Sequence, residues 1–165
     1  ELRACSELLA QQKPVIQQYV MDQIYDKMIG EEAWIAPYYA GDYLLMADEN
    51  EALGFYFPEE GFNFFIDAMC IPSCCQDKEL AEIFINYMLS EEPAVANAVY
   101  ICYGCPNTLV TESEEYIEEM GEEAIEILYP DLTDFARLFN ENAYRNLDTA
   151  HLDYLNALWE TLKIN

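Results

Sequence analysis

Residues 64–89 read FFIDAMCIPSCCQDKELAEIFINYML, and this stretch decides the fold that the sequence predicts. Its first part, Phe64 to Ile71, is an apolar run of strand length, which predicts a buried strand. In its second part, apolar side chains recur at helical spacing and predict an amphipathic helix; they are Leu80, Ile83, Phe84, Tyr87 and Met88. A strand followed by such a helix is the repeating unit of α/β proteins.

The residues that precede this stretch alternate in the same way. Apolar spacing predicts a first helix that ends before Pro14 and a second helix that ends at Gly30. Apolar and aromatic runs predict strands over 34–39 and 53–57, and a short helix from Gly41 to Met46 lies between them.

Helices dominate the remainder of the chain. Ser90 and the acidic residues after it predict a helix start, and residues 102–107 predict a turn. Thr111 and Glu114 have the spacing of a capping box that opens another helix. A last helix has four apolar side chains on one face: Leu152, Leu155, Trp159 and Leu162. Strands that alternate with helices predict an α/β protein with a mainly parallel sheet.

Asp67 is the only charged residue of the predicted buried strand. An unpaired carboxylate there is destabilising by several kcal/mol unless it reaches solvent or meets a cationic or hydrogen-bonding partner. It is either a capping or buffering residue at the end of the strand, or a ligand-binding carboxylate that lines a cleft. The residues alone leave both interpretations open.

The charge of the chain restricts the class of partner. With 32 acidic residues against 7 Lys and Arg, the net charge is −25, which would repel DNA, RNA and anionic lipid. Nucleic-acid binding is therefore excluded. The negative electrostatic field of the chain favours positively charged small molecules as partners. The Glu-rich stretch 112–126 is interpreted as solvated helix faces.

Catalytic and membrane signatures are absent from the sequence. His151 is the single histidine, so the chain has at most one Ser–His or Cys–His pair and cannot form a two-histidine metal site. No GxSxG, P-loop, GxGxxG or HExxH motif occurs in the sequence. We therefore expect that this protein is not an enzyme. No apolar run is long enough to span a membrane, and Glu1 to Arg3 lack the layout of a signal peptide, so an export signal would lie outside this chain.

Six cysteines allow three interpretations: Cys5, Cys70, Cys74, Cys75, Cys102 and Cys105. A structural metal site is disfavoured because the first cluster is CxxxCC and no histidine lies near. Disulfides require an oxidising compartment, and adjacent cysteines bridge each other only with strain. We favour the third interpretation, in which the cysteines are small, mostly buried residues of a protein from a reducing or oxygen-poor setting. We expect the protein to bind no metal and no cofactor.

Five blocks of the sequence resemble the C-terminal half of the spermidine/putrescine-binding proteins of ABC importers, in order and spacing; they are Tyr38–Asp42, Glu59–Gly61, Phe64–Pro72, Ala81–Leu89 and Ile101–Asn107. The resemblance implies a fragment of the type II periplasmic-binding-protein-like α/β fold, with a mainly parallel sheet flanked by helices. Residues 1–63 would form part of one lobe. Residues 64–110 would form a crossover strand and part of the other lobe, and residues 111–165 a return segment with the C-terminal helices.

The same resemblance implies a polyamine site. Tyr39, Phe65 and Tyr103 fall where family members place rings against the ligand, and Asp67 falls on the carboxylate that pairs with an amino group. The best-known members have Trp at the positions of Tyr39 and Phe65. Arg145 falls near a position where some members have an amide, and we leave it out of the predicted site.

The implied protein is a non-enzymatic, extracytoplasmic receptor, periplasmic or at the cell surface. It would deliver polyamine to ABC permease subunits in the membrane. The N-terminal half of the binding protein, absent from this sequence, would supply further ligand contacts and a membrane tether. Two alternatives stay open: a receptor of the same fold for another small cationic or amino solute, such as thiamine or an amino acid, and a thiol- or metal-binding protein.

Overall fold

The computed structural model describes residues 1–130, 140–141 and 143–164. The chain divides into two compact units, one formed by residues 1–23 and 144–165 and the other by residues 24–143. The helices that lie wholly within the described ranges are α1 (Leu2–Gln12), α2 (Gln23–Ile29), α3 (Ala40–Glu49), α4 (Lys78–Met88), α5 (Glu91–Ile101), α6 (Thr108–Thr111), α7 (Glu114–Leu128) and α8 (Thr149–Ile164). None of these helices is both long enough and apolar enough to cross a membrane.

The smaller unit is a pair of helices, α1 and α8, that pack against each other. The ammonium group of Lys13 donates a hydrogen bond to the carbonyl oxygen of Leu162 at 2.6 Å, in the last turn of α8. A cation at this position satisfies a carbonyl that has no partner within the helix. The rings of Tyr19 and Trp159 meet edge to face with centroids 5.1 Å apart. These contacts hold the two ends of the chain together.

The larger unit has its core where α5, α6 and α7 meet. Small side chains of α5, Ala94 and Ala98, let the other two helices approach closely. Val110 of α6 and Tyr116 of α7 are fully buried there. The hydroxyl groups of Tyr116 and Tyr129 pair at 3.2 Å, so the polar end of the buried ring is satisfied.

Several predicted helices are present. The first helix ends at Gln12, before Pro14, and the short helix predicted from Gly41 to Met46 is α3, which continues three residues further, to Glu49. The capping box predicted at Thr111 is wrong, because Thr111 is the last residue of α6. Ser113 caps α7 instead and accepts a hydrogen bond from the backbone N–H of Tyr116 at 3.4 Å.

The predicted mainly parallel sheet is wrong. In the described part of the chain, β pairing is limited to one isolated parallel bridge between Phe64 and Ala143. The segments 34–39, 53–57 and 64–71 form no ladder. An apolar run favours extended backbone, but a parallel strand also needs neighbouring strands to pair its N–H and C=O groups, and the described residues do not supply them.

The absence of a sheet leaves apolar surface exposed. The predicted buried strand lies in solvent, with Phe65, Ile66 and Met69 between 41% and 56% exposed. The helix predicted over 80–88 is confirmed as α4, yet four side chains of its apolar face are about 60% exposed. We call these four residues the α4 stripe: Leu80, Ile83, Phe84 and Tyr87.

Candidate functional site

An aromatic cluster lies beside the first turn of α3. It consists of Tyr38, Tyr39, Phe65 and Tyr103, which come from three separate segments of the larger unit. The rings of Tyr39 and Phe65 meet edge to face with centroids 5.7 Å apart, and those of Tyr38 and Tyr39 are 5.4 Å apart. Tyr103 interacts electrostatically with Tyr38 and Tyr39 and hydrogen-bonds to Asp42. Three of the four residues predicted to contact ligand therefore belong to one cluster, and whether they bind ligand stays a prediction.

Local structure explains how these rings are placed. Tyr39 is the N-cap of α3 and has extended backbone angles, so its side chain lies just ahead of the helix. Tyr103 follows Cys102, which ends α5 in the left-handed conformation (φ 56°, ψ 30°). A left-handed residue at this position turns the chain sharply out of the helix. Phe65 follows Phe64, which forms the β bridge with Ala143.

Asp42 provides the carboxylate of the cluster. It lies in the first turn of α3, where a negative charge is stabilised by the helix dipole. The hydroxyl of Tyr103 donates a hydrogen bond to Oδ2 of Asp42. Burial raises the pKa of Tyr103, and the Asp42 carboxylate and the hydroxyls of Tyr38 and Tyr39 raise it further. Tyr103 is thus held as a protonated donor at neutral pH.

The sequence alone does not single out Asp42 as the partner of a predicted ring. The acid stands in the block Tyr38–Asp42, directly after Gly41, but an acid in the first turn of a helix is common without any ligand. Its link to Tyr103 spans 61 positions, and no local pattern identifies such a partner. Only the close approach of the two segments in space singles it out.

Asp67 is placed differently. Its side chain is exposed, so the expectation that it lies in a buried strand is wrong, and the destabilisation argued for a buried carboxylate does not apply. It follows Phe65 by two positions and so remains close in sequence to the aromatic cluster. Its role as a ligand carboxylate stays a prediction.

Tyr25 of α2 lies near further carboxylates. Its hydroxyl donates a hydrogen bond to Glu49, the last residue of α3, at 3.1 Å. Burial raises the pKa of Tyr25, and the carboxylates of Glu49, Asp42 and Asp26 raise it further. Three acids that act on one hydroxyl indicate a negative potential between α2 and α3. Such a potential attracts cations to the neighbouring aromatic cluster.

The Glu-rich face of α7 is a separate feature. Four glutamates line an open cavity of about 500 Å³: Glu114, Glu115, Glu118 and Glu119. All four are exposed, which confirms the interpretation of this stretch as a solvated helix face.

The cysteines are free thiols, and the prediction that they are mostly buried is wrong. Cys5, Cys70 and Cys74 are exposed, and the other three are partly buried: Cys75, Cys102 and Cys105. Across residues 1–130, 140–141 and 143–164, no group of three His, Cys, Asp or Glu side chains is placed to hold a metal ion. His151 instead contacts Asp148, which accepts its backbone N–H at 3.0 Å and lies 2.7 Å from its Nδ1, at the start of α8.

Comparison with known proteins identifies the family. Residues 2–119 match the family described as bacterial extracellular solute-binding proteins. The chain belongs to this family. Its members are solute-binding proteins rather than a family of enzymes, and the family description places them outside the cell.

One relative of the solute-binding chain supports the resemblance inferred from the five sequence blocks. The chain is 23% identical over 129 residues to the spermidine/putrescine-binding periplasmic protein 1 of Haemophilus influenzae. This match covers 78% of the chain but only 35% of the length of that relative. No solved structure matches the chain. The resemblance to the spermidine/putrescine-binding proteins is therefore confirmed.

Proposed function

We propose that this solute-binding chain is part of an extracytoplasmic receptor for polyamines of the spermidine or putrescine class, which delivers its ligand to the permease of an ABC importer. The observation that carries the proposal is the hydrogen bond from Tyr103 to Asp42 beside the rings of Tyr39 and Phe65. The proposal is further supported by the relative from Haemophilus influenzae, whose name states the same ligands.

The chemistry of the cluster suits an alkylammonium ion. An ammonium group carries three N–H donors and binds carboxylates, while methylene groups pack on aromatic faces. Oδ2 of Asp42 accepts the Tyr103 hydroxyl, so the remaining oxygen, Oδ1, would accept an ammonium N–H. Each desolvated contact between a cation and a ring adds about 0.5 to 2 kcal/mol. Asp67 would pair with an ammonium group of the same ligand.

The charge of the whole chain acts in the same direction. A net charge of −25 raises the local concentration of cations and the rate at which they reach the surface. The field is screened by salt, so the affinity for a polyamine would fall as ionic strength rises.

The receptor would include an N-terminal half that completes the lobes and tethers the protein to the membrane. Residues 1–63 would belong to one lobe, residues 64–110 to a crossover and the second lobe, and residues 111–165 to the return segment. The α4 stripe and the exposed apolar side chains of segment 65–71 support this arrangement, because both present apolar surface that the rest of the receptor would cover. The greater length of the Haemophilus influenzae relative supports it as well.

Calorimetric titration of the intact binding protein tests the proposal. Putrescine and spermidine should bind, whereas butane-1,4-diol, which has the same carbon chain without charge, should not. Asp42→Asn should weaken binding, and Asp153→Asn, an exposed acid of α8 in the other unit, should not. If the protein binds neither polyamine but binds thiamine or an amino acid, polyamine binding is refuted and only the solute-binding role remains.

A further inference from the structure

Gly41 lies at an unusually close contact between α3 and the turn that follows α5. It is buried in the first turn of α3. A Cβ atom at this position would lie 2.5 Å from Cε2 of Tyr103 and 2.7 Å from the carbonyl oxygen of Cys102. Carbon atoms are in favourable contact at about 3.5 to 4.0 Å, so any side chain at position 41 would displace its neighbours.

The turn against which Gly41 packs is fixed at both of its ends. On one side, Cys102 caps α5 and its backbone N–H donates to Ala98 at 3.0 Å. On the other side, the backbone N–H of Cys105 donates to the hydroxyl of Tyr129 at 2.8 Å. Gly104 is equally confined, since a Cβ there would lie 2.9 Å from the carbonyl oxygen of Leu128. The turn is therefore held between α3 and α7, and it has little room to yield to a larger residue at position 41.

We propose that Gly41 is a positioning residue of the solute site. Its missing side chain sets how closely the Tyr103 ring approaches α3, and this distance places the Tyr103 hydroxyl on Asp42. The effect on ligand affinity rests on the proposed function, whereas the placement of the Tyr103 ring does not.

The substitution Gly41→Ala tests this proposal, with Gly54→Ala as the matched control. Gly54 is exposed, and a Cβ added to it would meet nothing within 4 Å. In the intact binding protein, Gly41→Ala should raise the Kd for putrescine about tenfold or more, because the ring and the hydrogen bond to Asp42 move together. Gly54→Ala should leave the Kd unchanged.

A double-mutant cycle shows whether Gly41 acts through Tyr103. Once Tyr103→Ala has removed the ring, adding Gly41→Ala should raise the Kd by a clearly smaller factor than it does in the wild-type background. The loss that remains measures the contact of the new Cβ with the carbonyl oxygen of Cys102, which Tyr103→Ala does not remove. An equal loss of affinity in both backgrounds, or no loss in the single variant, would overturn the proposal. If Gly41→Ala alone does not fold, the double variant should recover part of its helical circular dichroism, and no recovery also overturns the proposal.

A spectroscopic measurement separates this inference from the proposed function. With ¹³C-labelled tyrosine, the ring signal of Tyr103 is assigned by its loss in Tyr103→Phe. Gly41→Ala should shift this signal and Gly54→Ala should not, whether or not a polyamine binds. If the signal shifts but the protein binds no polyamine, the proposed ligand is refuted and the positioning role of Gly41 is retained. If the signal does not shift, the positioning role itself is refuted.

Discussion

The hydroxyl of Tyr103 donates a hydrogen bond to the carboxylate of Asp42, which lies 61 positions earlier in the chain. Tyr103→Phe keeps the ring and removes this donor. We expect the free energy of unfolding to fall by about 1 to 2 kcal/mol, as is usual when a partly buried hydrogen bond to a charged group is lost. Chemical denaturation measures the change, and Tyr100→Phe, at a ring that is 85% exposed, is the control and should have no effect.

The raised pKa of Tyr103 predicts a dependence of stability on high pH. In the unfolded chain the tyrosine ionises near its ordinary pKa of about 10, whereas in the folded chain burial and Asp42 keep it protonated to higher pH. The unfolded state therefore loses its proton first, and the contribution to stability, complete below about pH 10, falls as the pH rises further. Denaturation between pH 8 and about 11 should show a shallower decline for Tyr103→Phe than for the wild type. Equal declines would contradict the assigned environment of Tyr103.

Removal of the Asp67 charge should weaken polyamine binding by the intact protein more than any single ring substitution. The expected loss for Asp67→Asn is about 2 to 5 kcal/mol, if ligand binding desolvates this pair. Calorimetry at low and high salt should also show that the wild-type affinity falls with ionic strength. Unchanged affinity in Asp67→Asn would refute the role of this carboxylate. Tight binding by the 165 residues alone would refute the contribution that we assign to the N-terminal half.

The α4 stripe should be sensitive to charge when the N-terminal half is present. Ile83 is 58% exposed in this chain, and Ile83→Asp should prevent the two halves from associating when they are co-expressed, because it places a charge in an apolar interface. Ile117→Asp, at a 42% exposed side chain of α7 outside the stripe, should leave association intact. Co-purification measures the outcome, and association of the Ile83→Asp variant would show that the stripe is not the contact surface.

The helices could be predicted because their signals are local. Helical spacing and a following proline determined the end of α1, and the apolar spacing around Ile83 located α4. The parallel sheet could not be predicted reliably, because the pairing of a run such as 64–71 depends on other strands distant in sequence, and apolar composition shows only that the run tends to be extended. The same limit applies to the site. The resemblance predicted Tyr39, Phe65 and Tyr103 as ligand contacts, which stays a prediction, whereas the hydrogen bond from Tyr103 to Asp42 required coordinates.

The segment 65–71, which forms no ladder within the described part of the chain, has a consequence for the solubility of the chain. An exposed apolar segment of strand length is a template on which other copies can add strands and aggregate. Asp67 interrupts this run with a charge, as gatekeeper residues do, and a net charge of −25 keeps neighbouring copies apart. The net charge, and with it the repulsion between copies, disappears near the isoelectric point of about 4.1. Acidification should therefore precipitate this chain through the segment that its acids protect at neutral pH.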